Sequence, residues 1–128
     1  MHRQETIDRY RSARSDPAAA VLEGFHALKH ALRFGAGVRE ALAPHPDEVL
    51  ALAGELAPDV AGRMDALLEE VPSDLFEELV PRPPGSGVVA LAGRPEVTAS
   101  DVLEDPAPAP VVLLERPTHL GNLGAAVR

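Results

Sequence analysis

Apolar and polar positions along the chain follow two periods, one typical of buried strands and one typical of helices. Short continuous apolar runs predict strands at residues 18–22, 38–43 and 88–92, with a chain exit or short edge strand at 69–72. Apolar residues spaced three and four apart predict helices at residues 25–34, 47–56, 59–68 and 74–79. Because strands alternate with helices, we expect an α/β fold with three layers (α/β/α) over residues 18–95.

The two ends of the chain differ from this central domain. Residues 1–17 are polar and rich in arginine with little periodicity, which predicts a lead-in that is frayed or forms a short helix. Residues 96–110 are rich in proline and predict a semi-rigid linker. After the linker, residues 111–114 are continuously apolar and predict a central parallel strand, followed by a turn and the start of a helix up to residue 128.

Composition narrows the possible functions. Cysteine is absent, which excludes disulfides, thiolate catalysis and cysteine-based zinc sites. Three Phe, one Tyr and no Trp leave the core to Ala, Val and Leu, and we do not expect aromatic platforms for base stacking. The sequence has no apolar run long enough for a signal peptide or a membrane span, so we expect a cytoplasmic protein that does not bind membranes.

Charge is unevenly distributed although the formal net charge is −8. Residues 1–39 carry seven Lys and Arg against four acids, whereas residues 40–80 carry one Arg against eleven acids. A surface that binds phosphates needs cations, and an acidic surface repels the same polyanion. A nucleic-acid interface is therefore expected on the first third of the chain, while the acids of residues 47–78 are interpreted as solvated helix faces.

The best candidate for that interface is one face of the helix predicted at residues 25–34. His26, Lys29, His30 and Arg33 follow the i, i+3, i+4, i+7 spacing and so form one cationic stripe, although an ordinary solvated helix face has the same pattern. The two histidines are four residues apart and could also ligate a metal. Lys29 adds a positive charge beside them and no glutamate base is present, so we predict no metal site.

A second candidate site lies at the C-terminal end of the chain. In open α/β sheets, ligands bind in the crevice beyond the carboxyl end of a parallel strand, which residues 116–122 would line. Asn122 is a favoured N-cap residue, and the amides after it offer partial positive charge to an anion. Gly124 and Arg128 share a helix face, so the missing side chain leaves space for a sugar or phosphate beside the guanidinium. Close helix packing at Gly124 and a surface ion pair at Arg128 are the alternative interpretation.

Three sequence phrases resemble a known family. The pattern Asn122-x-Gly124-Ala125-x-x-Arg128 after a Val/Leu strand resembles the first motif of the SpoU (TrmH-type) branch of the knotted RNA ribose methyltransferases. Residues 21–35, which contain a Glu-Gly pair after a strand, resemble the start of the ribosomal-protein-type substrate-binding domain that precedes the catalytic domain in that family. Residues 84–92 resemble the glycine-led strand that closes the same domain.

The resemblance implies a function and assigns residues to it. It implies 2'-O-methylation of a ribose in ribosomal or transfer RNA, with S-adenosylmethionine as methyl donor and a homodimer as the working unit. Asn122 and Arg128 would help to bind and activate the 2'-hydroxyl, with Arg128 orienting the hydroxyl rather than removing its proton, because arginine holds its own proton. The family's donor site comes from later motifs, so residues 111–128 would be only the start of the methyltransferase domain. We therefore expect residues 1–128 to contain no cofactor site and to be inactive alone.

Two other functions remain open on the sequence. The first is a self-standing RNA-binding or protein-interaction module of ribosomal-protein-like fold without catalysis. The second is an acidic dimerisation domain that does not bind RNA.

Overall fold

The computed structural model describes residues 2–82 and 87–127, and the chain divides into two units, Met1–Pro95 and Glu96–Arg128. The elements of the first unit are helices α1 (Arg3–Ser15), α2 (Phe25–Arg33), α3 (Pro46–Leu56), α4 (Pro58–Leu67) and α5 (Ser73–Leu79), and strands β1 (Ala19–Glu23), β2 (Gly37–Ala43), β3 (Leu68–Glu70) and β4 (Val89–Gly93). The second unit contains helices α6 (Ala99–Leu103) and α7 (Leu120–Val127).

The four strands form one mixed sheet in the order β1-β4-β2-β3. Strand β4 is antiparallel to both of its neighbours, pairing Ala19 of β1 and Gly37 of β2 with the same residue, Gly93. Strand β3 pairs parallel to β2 at the edge. A register shift between Val38 and Glu40 makes a bulge near the start of β2.

Helices cover both faces of the sheet because its central strands are apolar on both sides. Val88 and Ala90 lie in a core with residues of α2, α3 and α4. Val89 and Leu91 lie in a second core with residues of α1 and α5. The mixed α/β arrangement predicted from the alternation of strands and helices is confirmed, and the layers follow from the period of two along β4.

Of the two forms expected for residues 1–17, a frayed lead-in or a short helix, the structure has a helix, and it packs against the rest of the first unit. The segment forms the 13-residue helix α1, which buries Thr6, Tyr10 and Ala13 within the first unit. The Arg14 guanidinium donates to the Leu79 carbonyl oxygen at 2.8 Å and pairs with Glu23 at 2.7 Å. Three buried residues at spacings of four and three are enough to anchor a helix whose average polarity resembles that of a disordered tail.

The second unit differs from the predicted strand. Residues 111–114 form no strand, and Leu113 is 92% exposed. A central parallel strand requires neighbours that pair with its amides and carbonyls, and residues 96–127 contain no other strand. The predicted helix after the turn is present as α7. The crevice expected beyond the strand is therefore not formed by these residues.

Tyr10 offers a direct test of how α1 packs, since it is the only tyrosine of the chain. Its side chain is buried, and its hydroxyl has no hydrogen-bond partner in residues 2–82 and 87–127. Burial, together with the negative charge of Glu40, raises the pKa of the Tyr10 phenol far above its ordinary value. The folded protein should therefore show no tyrosinate absorbance at a pH of about 10 to 11, where an exposed phenol ionises.

The same shift makes stability depend on pH. Above a pH of about 10 the unfolded chain loses the phenolic proton that the folded chain keeps, so the free energy of unfolding falls as pH rises. Tyr10→Phe should lack this contribution and should stay close to the wild type in urea unfolding at neutral pH, because it keeps the buried ring and removes only the hydroxyl beside Glu40. A phenol that titrates normally in the folded protein would contradict this packing.

Candidate nucleic-acid interface

Helix α2 is positioned by glycines at both ends and by its apolar face. Gly24, before the helix, has φ +95° and donates its amide to the Val88 carbonyl oxygen at 2.9 Å, which ties the helix start to the sheet. Phe25, Leu28 and Leu32 are buried. At the other end Gly35 has φ +78°, in the left-handed region that glycine adopts without strain. With the apolar face buried, the predicted stripe must lie on the outward side.

Lys29 is the cation of the stripe that has no carboxylate partner in the described part of the chain. Its ammonium donates to Nδ1 of His26 at 3.1 Å, which requires the His26 proton to be on Nε2. The ammonium also lies 5.8 Å from the centre of the Phe25 ring, within the range of a cation–π contact. Neither contact neutralises its charge, so it can still attract a phosphate.

Arg33 is held differently from the rest of the stripe. Its Nε and Nη2 atoms donate to the two carboxylate oxygens of Asp59 at 2.9 and 2.8 Å, a forked pair between α2 and α4. The hydrogen bond with Asp59 raises the pKa of Arg33, and the same bond lowers the pKa of Asp59. The helical spacing places Arg33 on the same face as Lys29, but in the structure Arg33 is paired with the Asp59 carboxylate. Its attraction for a phosphate is reduced accordingly.

An exposed aromatic pair continues the stripe beyond α2. The rings of His30 and Phe34 stack with centroids 6.0 Å apart and an angle of 12° between their planes. Phe34 is 79% exposed, whereas Phe25 and Phe76 are buried. Composition argued against aromatic platforms because aromatic residues are few. No sequence pattern indicates this aromatic pair, since Phe34 follows the helix and its exposure depends on where the chain turns.

An open cavity of about 250 Å³, with Phe25 in its wall, was not predicted from the sequence. Phe25 contributes both to its wall and to the contact with Lys29. Its lining is mostly apolar, with His45 and Glu48 as the polar groups: Phe25, Pro44, His45, Glu48, Val49, Leu52 and Gly87. Its residues come from α2, α3 and the ends of β2 and β4, which are distant in sequence. No local pattern could have indicated it.

The structure describes two of the three residues of the predicted C-terminal site, Asn122 and Gly124. Asn122 is not the N-cap of α7 but its third residue, because His119 takes the capping position. The Asn122 amide donates to His119 Nδ1 at 3.2 Å and to the His119 carbonyl oxygen at 3.1 Å. Asn122 is exposed and Gly124 is half-buried. Arg128 lies outside the described residues, so the space predicted between Gly124 and Arg128 is not part of this description.

The position of the His119 ring explains why residue 121 is a glycine. A Cβ at Gly121 would lie 2.8 Å from His119 Cε1, closer than carbon atoms approach. Only glycine at this position lets the imidazole fold back onto the first turn of α7. The role predicted for Asn122 as a cap is thus performed by an imidazole nitrogen, which sequence rules for caps rank below Ser, Thr, Asp and Asn.

Residues 2–82 and 87–127 contain no group of three or more His, Asp or Glu side chains placed to hold a metal ion. Lys29 bonded to His26 further opposes a cation between His26 and His30. None of the helices in the described ranges has the length and apolar character needed to cross a bilayer.

Comparison with known proteins adds no identification. No protein-family model matches the chain, and no curated protein or solved structure matches it either.

The Arg33–Asp59 pair can be tested by pH titration. We expect the Asp59 carboxyl carbon, followed by NMR, to titrate below the ordinary range for aspartate, and its midpoint to rise in Arg33→Gln because the donor of both hydrogen bonds is lost. The stability that this pair contributes is present above the pKa of unfolded aspartate and is lost as pH falls through the folded value.

Asp101 provides an internal control for that titration. Its pKa is lowered by the backbone amide of Thr98, which donates to Asp101 Oδ2 at 2.8 Å, so Arg33→Gln should not move it. An Asp59 midpoint that is the same in wild type and Arg33→Gln would show that Arg33 is not held by Asp59 in solution.

Proposed function

We propose that the first unit binds RNA through the outward face of α2, and that the chain supplies the RNA-recognition part of a SpoU-type RNA 2'-O-ribose methyltransferase. The observation that best supports RNA binding is that Lys29 has no carboxylate partner among the described residues. In a chain of net charge −8, its ammonium is on the surface of the helix. His26 and His30 lie on the same face.

The enzyme assignment is supported by the sequence resemblance and by one feature of the structure. Gly24, in the Glu-Gly phrase that resembles the family, occupies a backbone conformation that disfavours other residues.

S-adenosylmethionine would be the donor in that enzyme. The resemblance assigns the donor site to later motifs of the family. No step of the reaction is therefore assigned to residues 1–128. Asn122, Gly124 and Arg128 remain the proposed contacts to the target ribose, by resemblance alone. RNA from ribosomes or transfer RNA is the proposed partner, and a homodimer the proposed form of the enzyme.

A charge-reversal pair tests the proposed interface. Lys29→Glu should weaken binding of bulk transfer RNA or a ribosomal RNA fragment about tenfold in a filter-binding titration, and should reduce the slope of log affinity against log salt by about 1, the effect expected for one lost phosphate contact. The salt slope distinguishes this effect from a change in folding.

Arg11→Glu is the matched control, because it makes the same change of charge on an exposed side chain of α1, on the other side of the sheet. It should weaken binding much less. Equal losses in Lys29→Glu and Arg11→Glu would mean that RNA responds only to overall charge, and the α2 face would then have no special role.

The catalytic part of the proposal has its own test. Residues 1–128, mixed with RNA and S-adenosylmethionine labelled on the transferred methyl group, should bind RNA but transfer no label, because the donor site is assigned to other segments of the enzyme. Incorporation of label that depends on this chain would contradict that division of roles.

A further inference from the structure

The exposed ring of Phe34 lies beside an open depression that differs chemically from the rest of the surface. The depression has a volume of about 410 Å³, and it is at the end of the sheet where β2 begins and β4 ends. Its lining contains one aromatic, one cation and no acid: Phe34, Gly35, Ala36, Gly37, Gly93, Arg94 and Pro95. In a chain with twenty acidic residues, a depression without an acid among its lining residues suits an anionic ligand.

The Phe34 ring is contacted by His30, and most of its surface is exposed to solvent. His30 stacks against it at a centroid distance of 6.0 Å, yet 79% of the Phe34 surface remains exposed. An exposed aromatic ring supported from one side is the element on which proteins stack an unpaired base, because every base has a flat π face. Single exposed apolar residues are common, so the ring alone would not indicate a ligand.

Arg94 supplies the second, independent feature. It lines the depression with Phe34, its side chain is exposed, and in residues 2–82 and 87–127 it has no hydrogen bond or ion pair through its guanidinium. Its backbone amide donates to the Ala18 carbonyl oxygen at 2.9 Å, which fixes the start of the side chain at the end of the sheet. Several other arginines of this unit are paired with carboxylates, as Arg33 is with Asp59, whereas Arg39 and Arg82, like Arg94, have no such partner among the described residues. An unpaired guanidinium beside an exposed ring can contact the phosphate next to a stacked base.

Between Phe34 and Arg94, the surface of the depression includes exposed glycine backbone. Gly35 and Gly37 have no atom within 4 Å of the position that a Cβ would occupy, so nothing covers the chain there. A flat ligand can therefore approach the ring over Gly35 and Gly37, while at Gly93 the Arg39 guanidinium lies 3.1 Å from the position that a Cβ would occupy.

The depression also continues the surface already assigned to RNA. His30, next to Lys29 in sequence on α2, stacks on the Phe34 ring, so the ring adjoins the face that carries the stripe.

We propose that Phe34, supported by His30 and flanked by Arg94, is a stacking subsite for one unpaired base of single-stranded RNA. The subsite rests on the proposed function, since it extends the RNA contact of α2. It also adds a specificity that the charges alone lack, because a base inside a duplex cannot stack on an external ring. The interface should therefore prefer unpaired RNA to a duplex of the same length.

Tryptophan fluorescence gives a readout at the subsite itself. The chain contains no tryptophan, so Phe34→Trp introduces a single fluorophore at an exposed position that tolerates it. Titration with a single-stranded oligoadenylate should quench this fluorescence to saturation, and the corresponding adenine–uracil duplex should quench it much less. An absence of quenching while the oligonucleotide binds would overturn the proposal.

Affinity measurements on the full 128-residue chain complete the test. Phe34→Ala should weaken oligoadenylate binding at least about fivefold, the lower range for loss of one base stack, while duplex affinity changes little. Arg94→Gln should weaken it less and reduce the salt slope. Leu56→Ala is the matched control, because it also removes an exposed apolar side chain, 51% exposed, from a helix of the same unit.

The outcomes separate the two proposals. If Lys29→Glu weakens RNA binding and Phe34→Ala does not, the α2 interface stands and the stacking subsite is wrong; that result is also the one expected if Phe34 binds a protein instead. If the wild-type chain binds no RNA, both proposals fail. If Phe34→Ala weakens single-stranded and duplex RNA equally, the ring does not read an unpaired base.

Discussion

Burial of one side of α2 is the constraint on which the rest of this structure depends. Phe25, Leu28 and Leu32 pack into the core that includes Ala41 of β2 and Ala90 of β4. A nine-residue helix is marginal by itself in water, whereas burial of each large apolar side chain contributes about 1.5–3 kcal/mol. The tertiary contact therefore holds the helix, and it also fixes which side chains point outward.

Ion pairing then determines which of the outward cations can attract a phosphate. The first third of the chain is rich in arginine, but Arg3, Arg9, Arg14 and Arg33 all have carboxylate partners from other segments. These pairs hold α1 and α4 to their neighbours. Other cations of the first unit have no such partner in the described ranges, and Lys29 and Arg94 are among them. Which cations can meet a ligand is thus decided by tertiary pairing, and neither net charge nor helical spacing reveals it.

Prediction from sequence succeeded where a local period carries the information. The strands and helices of residues 18–95 follow from apolar spacing and from glycine and proline at their ends, and the structure has them within a few residues. The fold was therefore predictable at the level of strands, helices and an α/β arrangement. Helix α1 was harder, because its anchor Tyr10 is one residue in a polar segment and its arginines bond to groups such as Leu79, which are distant in sequence.

The candidate site was less predictable for the same reason. The stripe on α2 was visible in the spacing, but the pairing of Arg33 with Asp59 and the exposure of Phe34 arise from parts of the chain that meet only in the fold. At the C-terminal end, Asn122 was expected to cap a helix that His119 caps instead. The strand expected at residues 111–114 illustrates a further limit, since a strand is a property of a sheet and not of four residues.

The central claim is that RNA meets this chain on the outward side of α2, and amide chemical-shift mapping tests it most directly. Titration of the isotopically labelled chain with a short single-stranded RNA should shift the amide signals of residues 26–37 and 93–94, and leave those of α1 and α5, on the other side of the sheet, unchanged. Shifts concentrated on α1 and α5, or spread evenly over the first unit, would contradict the account.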